Sequence, residues 1–181
     1  MARMKAIATV THYDPRTIRL HWLTAALVLL LWCLGETIDW FARGTPRVGA
    51  RSVHIAVGVL LALVLVVRLG WRATGGERPP ADPGRLGKLS TLMHYALYLA
   101  VAATVLAGFA NVWVRGDSFF GWFTVPAFDP GNKALKEGVE EVHEVSANLT
   151  LILAALHAAA ALVHHFVWKD DVLRRMWPAR G

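Results

Sequence analysis

Four long apolar segments constrain this chain more than any other feature of its sequence. They cover about residues 20 to 41, 52 to 71, 89 to 114 and 145 to 168, and the last two contain no Asp, Glu, Lys or Arg. A helix needs roughly 20 apolar residues to cross the hydrocarbon core of a bilayer. We therefore predict an all-α fold, a four-helix transmembrane bundle that forms a single domain over residues 1 to 181.

The distribution of Lys and Arg predicts which side of the membrane each loop faces. The two terminal segments and the loop between the second and third apolar segments contain 13 of the 19 basic residues, and the other two loops contain 6. Because basic residues concentrate in cytoplasmic loops, both termini and the turn from Gly75 to Gly87 are expected on the cytoplasmic side of the membrane. The loops 36 to 51 and 115 to 141 then face outward, and the second of these is expected on the membrane surface.

Composition argues against several other classes of protein. With 55% hydrophobic and 18% charged residues, the chain is too apolar for an ordinary soluble domain. Cys33 is the single cysteine, so no internal disulfide and no cysteine-based zinc or iron–sulfur site is expected. The net charge of +6 is spread between apolar runs, which argues against nucleic-acid binding. The first apolar segment lacks a small-residue cleavage pattern, so we expect it to be retained.

Histidines within the apolar segments are the candidate functional residues, because polar groups are costly inside a membrane. His143 and His157 lie 14 residues apart, which on a helix places them about 40° apart in azimuth and about 21 Å apart along the axis. His21 begins the first segment on the cytoplasmic side, and His54 begins the second on the outer side. The depths predict two pairs, His21 with His157 (the inner pair) and His54 with His143 (the outer pair).

Two such pairs are suited to hold two b-type haems. Neutral imidazole nitrogens bind haem iron, and a planar macrocycle fits between facing helices of a bundle. Gly58, one turn after His54, and Gly35, level with the outer pair, leave room for a porphyrin face, although small residues also serve helix packing. Arg19 and Arg51 are the candidate contacts of the haem propionates.

The remaining histidines have weaker assignments. His164 follows His157 by seven residues on the same helix face and is a candidate proton donor or hydrogen-bond partner for a quinone. His94, at the start of the third segment, is expected at the membrane interface, with a redox or proton role left open. His165 is expected to meet lipid headgroups or a neighbouring helix.

Four motifs carry a resemblance to a known family. They are Arg19-Leu20-His21-Trp22, His54 followed by Gly58, His143-Glu144-x-x-Ala147-Asn148, and the run from His157 through His164-His165-Phe166-x-Trp168-Lys169-Asp170. In these motifs the chain resembles the bacterial cytochrome b561 family over nearly its whole length, and the last motif is the most specific. The resemblance implies two b haems with His21, His54, His143 and His157 as iron ligands and a quinone as electron partner. For compact members it also implies superoxide oxidation at the outer face, with the electron delivered to ubiquinone.

The first functional hypothesis is therefore superoxide:ubiquinone oxidoreduction without a required protein partner. Arg43, Arg47 and Arg51 are candidates for attracting the anionic substrate, although anchoring in lipid headgroups explains them equally. Arg68 and Lys169 are candidate neighbours of the quinone beside His164.

Two alternatives use the same segments. One keeps the haems but makes the chain the membrane-anchor subunit of a dehydrogenase or hydrogenase, passing electrons between that partner and quinone. The other is a haem-free bundle that relays protons or transports a metal, although we find no broken helices or repeated halves of the kind common in transporters.

Overall fold

The computed structural model describes residues 12–76 and 85–177, which form four long helices joined by short connections. The helices are α1 (Pro15–Thr37), α2 (Thr45–Thr74), α3 (Arg85–Arg115) and α4 (Lys133–Val163). All four are long and apolar enough to cross a membrane. The predicted all-α, four-helix architecture is confirmed, while part of the predicted turn from Gly75 to Gly87 lies outside the described residues.

Each helix begins before the apolar segment predicted from the sequence, whereas α1 ends at Thr37 and α4 at Val163, a few residues before the predicted ends. The largest difference is α4, which begins at Lys133 rather than near residue 145. The side chain of Asn132 caps its first turn by accepting the N–H of Leu135, and Lys133 pairs with Glu137 at 3.2 Å. A hydropathy pattern detects only the part of a helix that matches the bilayer, whereas a helix continues into water as long as capping and polar pairs support it.

Helix α1 begins at a strong N-terminal cap. Asp14 accepts the N–H groups of Arg16 and Thr17 at 3.0 Å each, and its carboxylate also accepts the Thr17 hydroxyl and the indole N–H of Trp71. Pro15 follows as the first helical residue, where its missing N–H and fixed φ are favourable. One carboxylate thus starts α1 and links it to the end of α2.

Both ends of the described chain lie at the same end of the bundle. The backbone N–H of Tyr13 donates to the carbonyl of Arg175 at 3.2 Å, and the indole N–H of Trp22 donates to the carbonyl of Met176 at 3.0 Å. An even number of crossings requires this arrangement. We refer to this end as the inner end, because it is where His21 begins α1.

The bundle has a small interior and an apolar exterior. Its core cluster consists of Leu27 from α1, three residues of α2 and Val101 from α3. Large apolar side chains such as Leu99 and Leu106 point outward, with exposed fractions of 72% and 68%. This distribution suits a chain whose solvent is lipid, in which helices gain from close packing and polar links rather than from hiding apolar surface.

The outer loop between α3 and α4 contains a small antiparallel hairpin. Strand β1 (Ser118–Phe119) pairs with β2 (Phe123–Thr124). Ser52 of α2 is fully buried beneath it, donates its hydroxyl to the carbonyl of Val48 at 2.7 Å and accepts the N–H of Phe120 at 2.8 Å. This hydroxyl fixes the hairpin to the outer end of α2, which the sequence patterns did not indicate.

The cap of α1 generates a stability prediction. Replacing Asp14 with Ala removes the acceptor of two backbone N–H groups and should lower the free energy of unfolding by about 1 kcal/mol. Replacing it with Asn keeps a good capping oxygen, so Asp14→Asn should remain close to wild type at neutral pH. Thermal unfolding in detergent, followed by far-ultraviolet circular dichroism, measures the difference.

The same pair of variants has a defined pH dependence. Burial alone would raise the pKa of Asp14, but hydrogen bonds from Thr17, Trp71 and Arg16 outweigh it and hold the pKa below its ordinary value of 3.8. The stabilisation by the carboxylate is therefore complete above that value and is lost as the pH falls through the lowered pKa. Asp14→Asn should lack this acid-dependent loss. Equal acid sensitivity in wild type and Asp14→Asn would contradict the assignment.

Candidate functional site

The inner pair of histidines meets between α1 and α4. His21 lies in the second turn of α1 and His157 in the last third of α4. Their ring centroids are 6.2 Å apart, with the ring planes at 69°. Both side chains are half-buried.

The outer pair meets between α2 and α4 with nearly the same geometry. The ring centroids of His54 and His143 are also 6.2 Å apart, with the ring planes at 85°. Because His143 and His157 belong to the same uninterrupted helix, their 14-residue separation corresponds to about 21 Å of helix rise. The structure thus brings together both pairs of side chains that the sequence predicts, at two depths of one bundle.

The spacing within each pair suits one metal ion between two rings. Metal–nitrogen bonds to imidazole are about 2 Å long, so rings on opposite sides of one ion place their coordinating nitrogens about 4 Å apart and their centres about 6 Å apart. Both pairs show this distance of about 6 Å between ring centres. Within the described part of the chain there is no cluster of three or more His, Cys, Asp or Glu side chains suited to a bare metal ion. Two nitrogen donors fit an ion whose remaining ligands come from a macrocycle, as in haem.

Backbone contacts hold the outer rings in place. Nδ1 of His143 lies 3.1 Å from the carbonyl oxygen of Thr104, an acceptor that keeps the proton on Nδ1 and leaves the lone pair of Nε2 for a metal. A Cβ at Gly108 would come within 3.0 Å of Cε1 of His143, and one at Gly35 within 3.5 Å of Cε1 of His54. These two glycines therefore let helix backbone pack directly against the candidate ligands.

The other ring of the outer pair, that of His54, lacks the kind of hydrogen bond that holds His143. Its Nδ1 is buried without a hydrogen bond of normal geometry. A buried, unpartnered ring nitrogen is unusual in a folded protein. A Cβ at Gly58, by contrast, would have no atom within 4 Å, and the role of this glycine in making room for a porphyrin stays a prediction.

The inner pair has two neighbours that sequence reasoning did not place there. Nη2 of Arg68 lies 3.2 Å from Nδ1 of His21, and Nε of the same guanidinium donates to the hydroxyl of Tyr98 at 3.0 Å. The ring of His94 lies 5.4 Å from that of His157, so His94 faces the inner pair instead of the interface alone. Both contacts depend on the rotation of α2 and α3 about their own axes, which no local sequence pattern predicts.

The arginines near the outer end are mostly engaged by acidic groups. Arg51 and Arg115 contact the carboxylate of Asp117 at 3.4 and 3.7 Å, and Arg115 also pairs with Glu140 at 2.6 Å. Burial raises the pKa of Asp117 in spite of both arginines. Arg51, a predicted propionate contact, therefore shares its charge with a carboxylate, while the other predicted contact, Arg19, is exposed at the inner end.

The other two arginines predicted to attract an anionic substrate differ in how firmly their side chains are held. Arg47 is fixed to its own loop, pairing with Asp39 at 3.1 Å and donating to the carbonyls of Phe41 and Asp39. Arg43 is exposed on the same loop. Of the three residues proposed to attract an anion, Arg43 is thus the most accessible.

The predicted quinone neighbours do not gather in one cavity. Arg68 lines a small cavity with Trp71 and Tyr98, whereas Lys169 lines a surface cavity with His165. His164 begins a π-helical turn (His164–Trp168), and its Nδ1 lies 2.6 Å from Oδ2 of Asp170. Burial by itself would raise the pKa of Asp170, but hydrogen bonds from His164 and the backbone of Val172 lower it.

The π turn also determines which rings His164 and His165 contact. His164 packs edge-on against Trp168 with ring centroids 4.4 Å apart, and His165 packs against Phe166 at 4.7 Å. The π turn was not predicted, because the sequence pattern assumes a constant 100° per residue.

A hydrogen bond at a depth between the outer and inner histidine pairs was also not predicted from the sequence. The indole N–H of Trp32 donates to the side-chain oxygen of Asn148 at 3.0 Å and joins α1 to α4. Asn148 lies between His143 and His157 along α4. Two features of the sequence could have indicated this hydrogen bond. Trp32 lies away from the helix ends, where the other tryptophans lie, and Asn148 belongs to the motif that begins at His143.

Comparison with known proteins gives consistent matches over nearly the full chain. The family model described as prokaryotic cytochrome b561 matches residues 12–179. Cytochrome b561 homolog 1 of Escherichia coli (strain K12) is 32% identical over 175 residues, which cover 94% of this chain and 99% of that protein. Cytochrome b561 homolog 2 of the same organism is 32% identical over 180 residues, covering 93% and 92%. A Yersinia pestis protein named probable superoxide oxidase CybB is 28% identical over 171 residues, covering 93% and 97%.

The contact of Gly108 with His143 generates a second prediction. In Gly108→Ala the new methyl group would lie 3.0 Å from the His143 ring and must displace it. We expect this overpacking to lower the free energy of unfolding by about 1 to 3 kcal/mol. Gly35→Ala is the matched control, because its methyl group makes an ordinary contact with His54 at 3.5 Å, and Ala is favoured over Gly in a helix by up to about 1 kcal/mol. Unfolding midpoints that fall in Gly35→Ala and not in Gly108→Ala would contradict this packing.

Proposed function

Because this chain belongs to the prokaryotic cytochrome b561 family, whose members are membrane electron carriers with haem b, we propose that it holds two such haems and transfers electrons from superoxide to ubiquinone. The outer pair binds one haem and the inner pair the other. The observation that carries the proposal is the equal separation of 6.2 Å in two imidazole pairs that share α4. Arg19 and Arg51 remain the proposed propionate contacts.

Haem bound in this way supplies one-electron redox chemistry and, with two histidine ligands, offers no open position on its iron. The protein's own residues then determine orientation and access. Thr104 fixes the ring of His143 through its carbonyl, and the hairpin anchored on Ser52 covers the outer end of α2. Substrates are therefore expected to react at the edge of each site.

Superoxide is the proposed electron donor because one relative is named a probable superoxide oxidase. Two superoxide ions give two molecules of dioxygen and two electrons, and ubiquinone takes up these electrons with two protons. We propose that Arg43 contributes most to attracting superoxide, since Arg47 and Arg51 are paired with Asp39 and Asp117. An exposed charge changes the encounter rate of an anion and loses its effect as salt increases.

Ubiquinone is proposed to react at the inner end, beside the inner pair. His164 is the candidate proton donor, and its hydrogen bond to Asp170 orients the ring. Arg68 and Lys169 stay candidate neighbours on separate cavities. The excess of Lys and Arg at the inner end supports cytoplasmic termini in a bacterial inner membrane.

The proposed ligand pairs predict a specific haem count. Wild-type protein purified with ample haem should contain two haems per chain. Replacing His54 or His157 with Ala should remove one haem each and leave the other, and His94→Ala should retain both because His94 belongs to neither pair. Absorbance spectra with dithionite reduction measure the count. Loss of both haems in either single variant, with the helical content intact, would refute the pairing.

The proposed reaction predicts that superoxide reduces the protein directly. An enzymatic superoxide source should reduce the haems of the purified protein, and added ubiquinone analogue should reoxidise them. Arg43→Gln should slow the first step several-fold at low salt and little at high salt. Reduction by dithionite but not by superoxide would exclude this donor, and a stoichiometric co-purifying redox protein would favour a membrane-anchor role.

A further inference from the structure

The two candidate haem sites differ in what faces Nδ1 of a ligand. At the outer site Nδ1 of His143 faces the carbonyl of Thr104, a pure acceptor. At the inner site Nδ1 of His21 faces the guanidinium of Arg68 at 3.2 Å, and a guanidinium can only donate. His143 at the outer site and His21 at the inner site therefore have opposite hydrogen-bonding partners at Nδ1, while Nδ1 of His54, the second outer ligand, has no hydrogen bond of normal geometry.

This difference has a consequence for a ligand that binds iron through Nε2. A neutral imidazole has one protonated nitrogen, so the proton must then lie on Nδ1. At the outer site this N–H meets an acceptor, which makes the imidazole a stronger electron donor to the metal. At the inner site it meets a second donor, so His21 gains no such support.

Arg68 is also held in place independently of His21. Its Nε donates to the hydroxyl of Tyr98 at 3.0 Å, and its guanidinium carbon lies 5.2 Å from the centroid of that ring. Even if the guanidinium turns away from Nδ1, Tyr98 keeps its charge beside the inner ligand. Within the described residues no carboxylate lies within ion-pair distance of Arg68, whereas Arg51 and Arg115 at the outer end pair with Asp117 and Glu140.

We propose that Arg68 raises the reduction potential of the inner haem above that of the outer haem. The guanidinium of Arg68, which has no carboxylate partner among the described residues, favours the reduced iron because that state carries one positive charge less. A ligand whose Nδ1 faces a donor also gives less electron density to the iron than one whose Nδ1 faces an acceptor. An electron shared between the two sites then resides mainly at the inner one, with one iron oxidised and the other reduced. The chain is thereby biased toward delivery at the inner end.

This inference rests on the proposed haem sites, so the test uses backgrounds that isolate each haem. His54→Ala leaves the inner haem and His157→Ala leaves the outer haem, and the haem count of these proteins tests the sites themselves. Redox titration without quinone then measures each potential. Arg68→Gln in the inner-haem background should shift the equilibrium at least tenfold toward the oxidised form, or about 59 mV for one electron. In the outer-haem background it should shift less than threefold.

Arg72→Gln is the matched control. Arg72 lies one turn closer to the inner end and also approaches the Tyr98 ring, at 5.6 Å, so this variant removes the same charge without removing the contact with His21. Its shift should be clearly smaller than that of Arg68→Gln. Equal shifts in the two variants or in the two backgrounds, or a shift under tenfold at the inner haem, would overturn the proposal. Loss of the inner haem in Arg68→Gln, Arg68→Met and Arg68→Ala alike would assign Arg68 to haem retention instead.

Discussion

Helix α4 imposes the constraint on which the rest of this structure depends. It carries His143 and His157 on one continuous helix, and each of these rings meets a partner from another helix at the same centroid distance of 6.2 Å. For both meetings to occur, α1 and α2 must approach α4 at different depths and with fixed rotations. The caps, the polar links between helices and the glycines beside the rings all serve this arrangement.

The bilayer explains why polar links carry so much of the packing. Because lipid tails are as apolar as Leu side chains, burying apolar surface between helices contributes little free energy to their association in a bilayer. Hydrogen bonds and close backbone packing therefore determine the positions of the helices. The pair Thr104–Thr150, at 3.0 Å between hydroxyls, joins α3 to α4, and Trp32–Asn148 joins α1 to α4. Thr104 also presents its carbonyl to His143, so one residue both packs two helices and orients a candidate ligand.

The two ends of the bundle have different electrostatic character. At the outer end the carboxylate of Asp117, whose side chain is 10% exposed, contacts both Arg51 and Arg115, and the next residue begins the hairpin that Ser52 fixes. At the inner end Arg68 contacts an aromatic hydroxyl and a histidine instead of a carboxylate. Two equivalent sites would share a resident electron equally, whereas this difference in charge distinguishes the inner site from the outer one.

The sequence alone determined the number of spans and the depths of the four histidines predicted to pair, because hydropathy and the helical repeat are properties of consecutive residues. The position of His94, with its ring 5.4 Å from that of His157, did not follow from these patterns. It did not reveal that α4 begins at Lys133, that a π turn starts at His164, or that Arg68 faces His21. Those features were decided by the tertiary structure. They depend on the rotation of each helix about its axis and on capping contacts beyond the bilayer, which are set by side chains far apart in the chain.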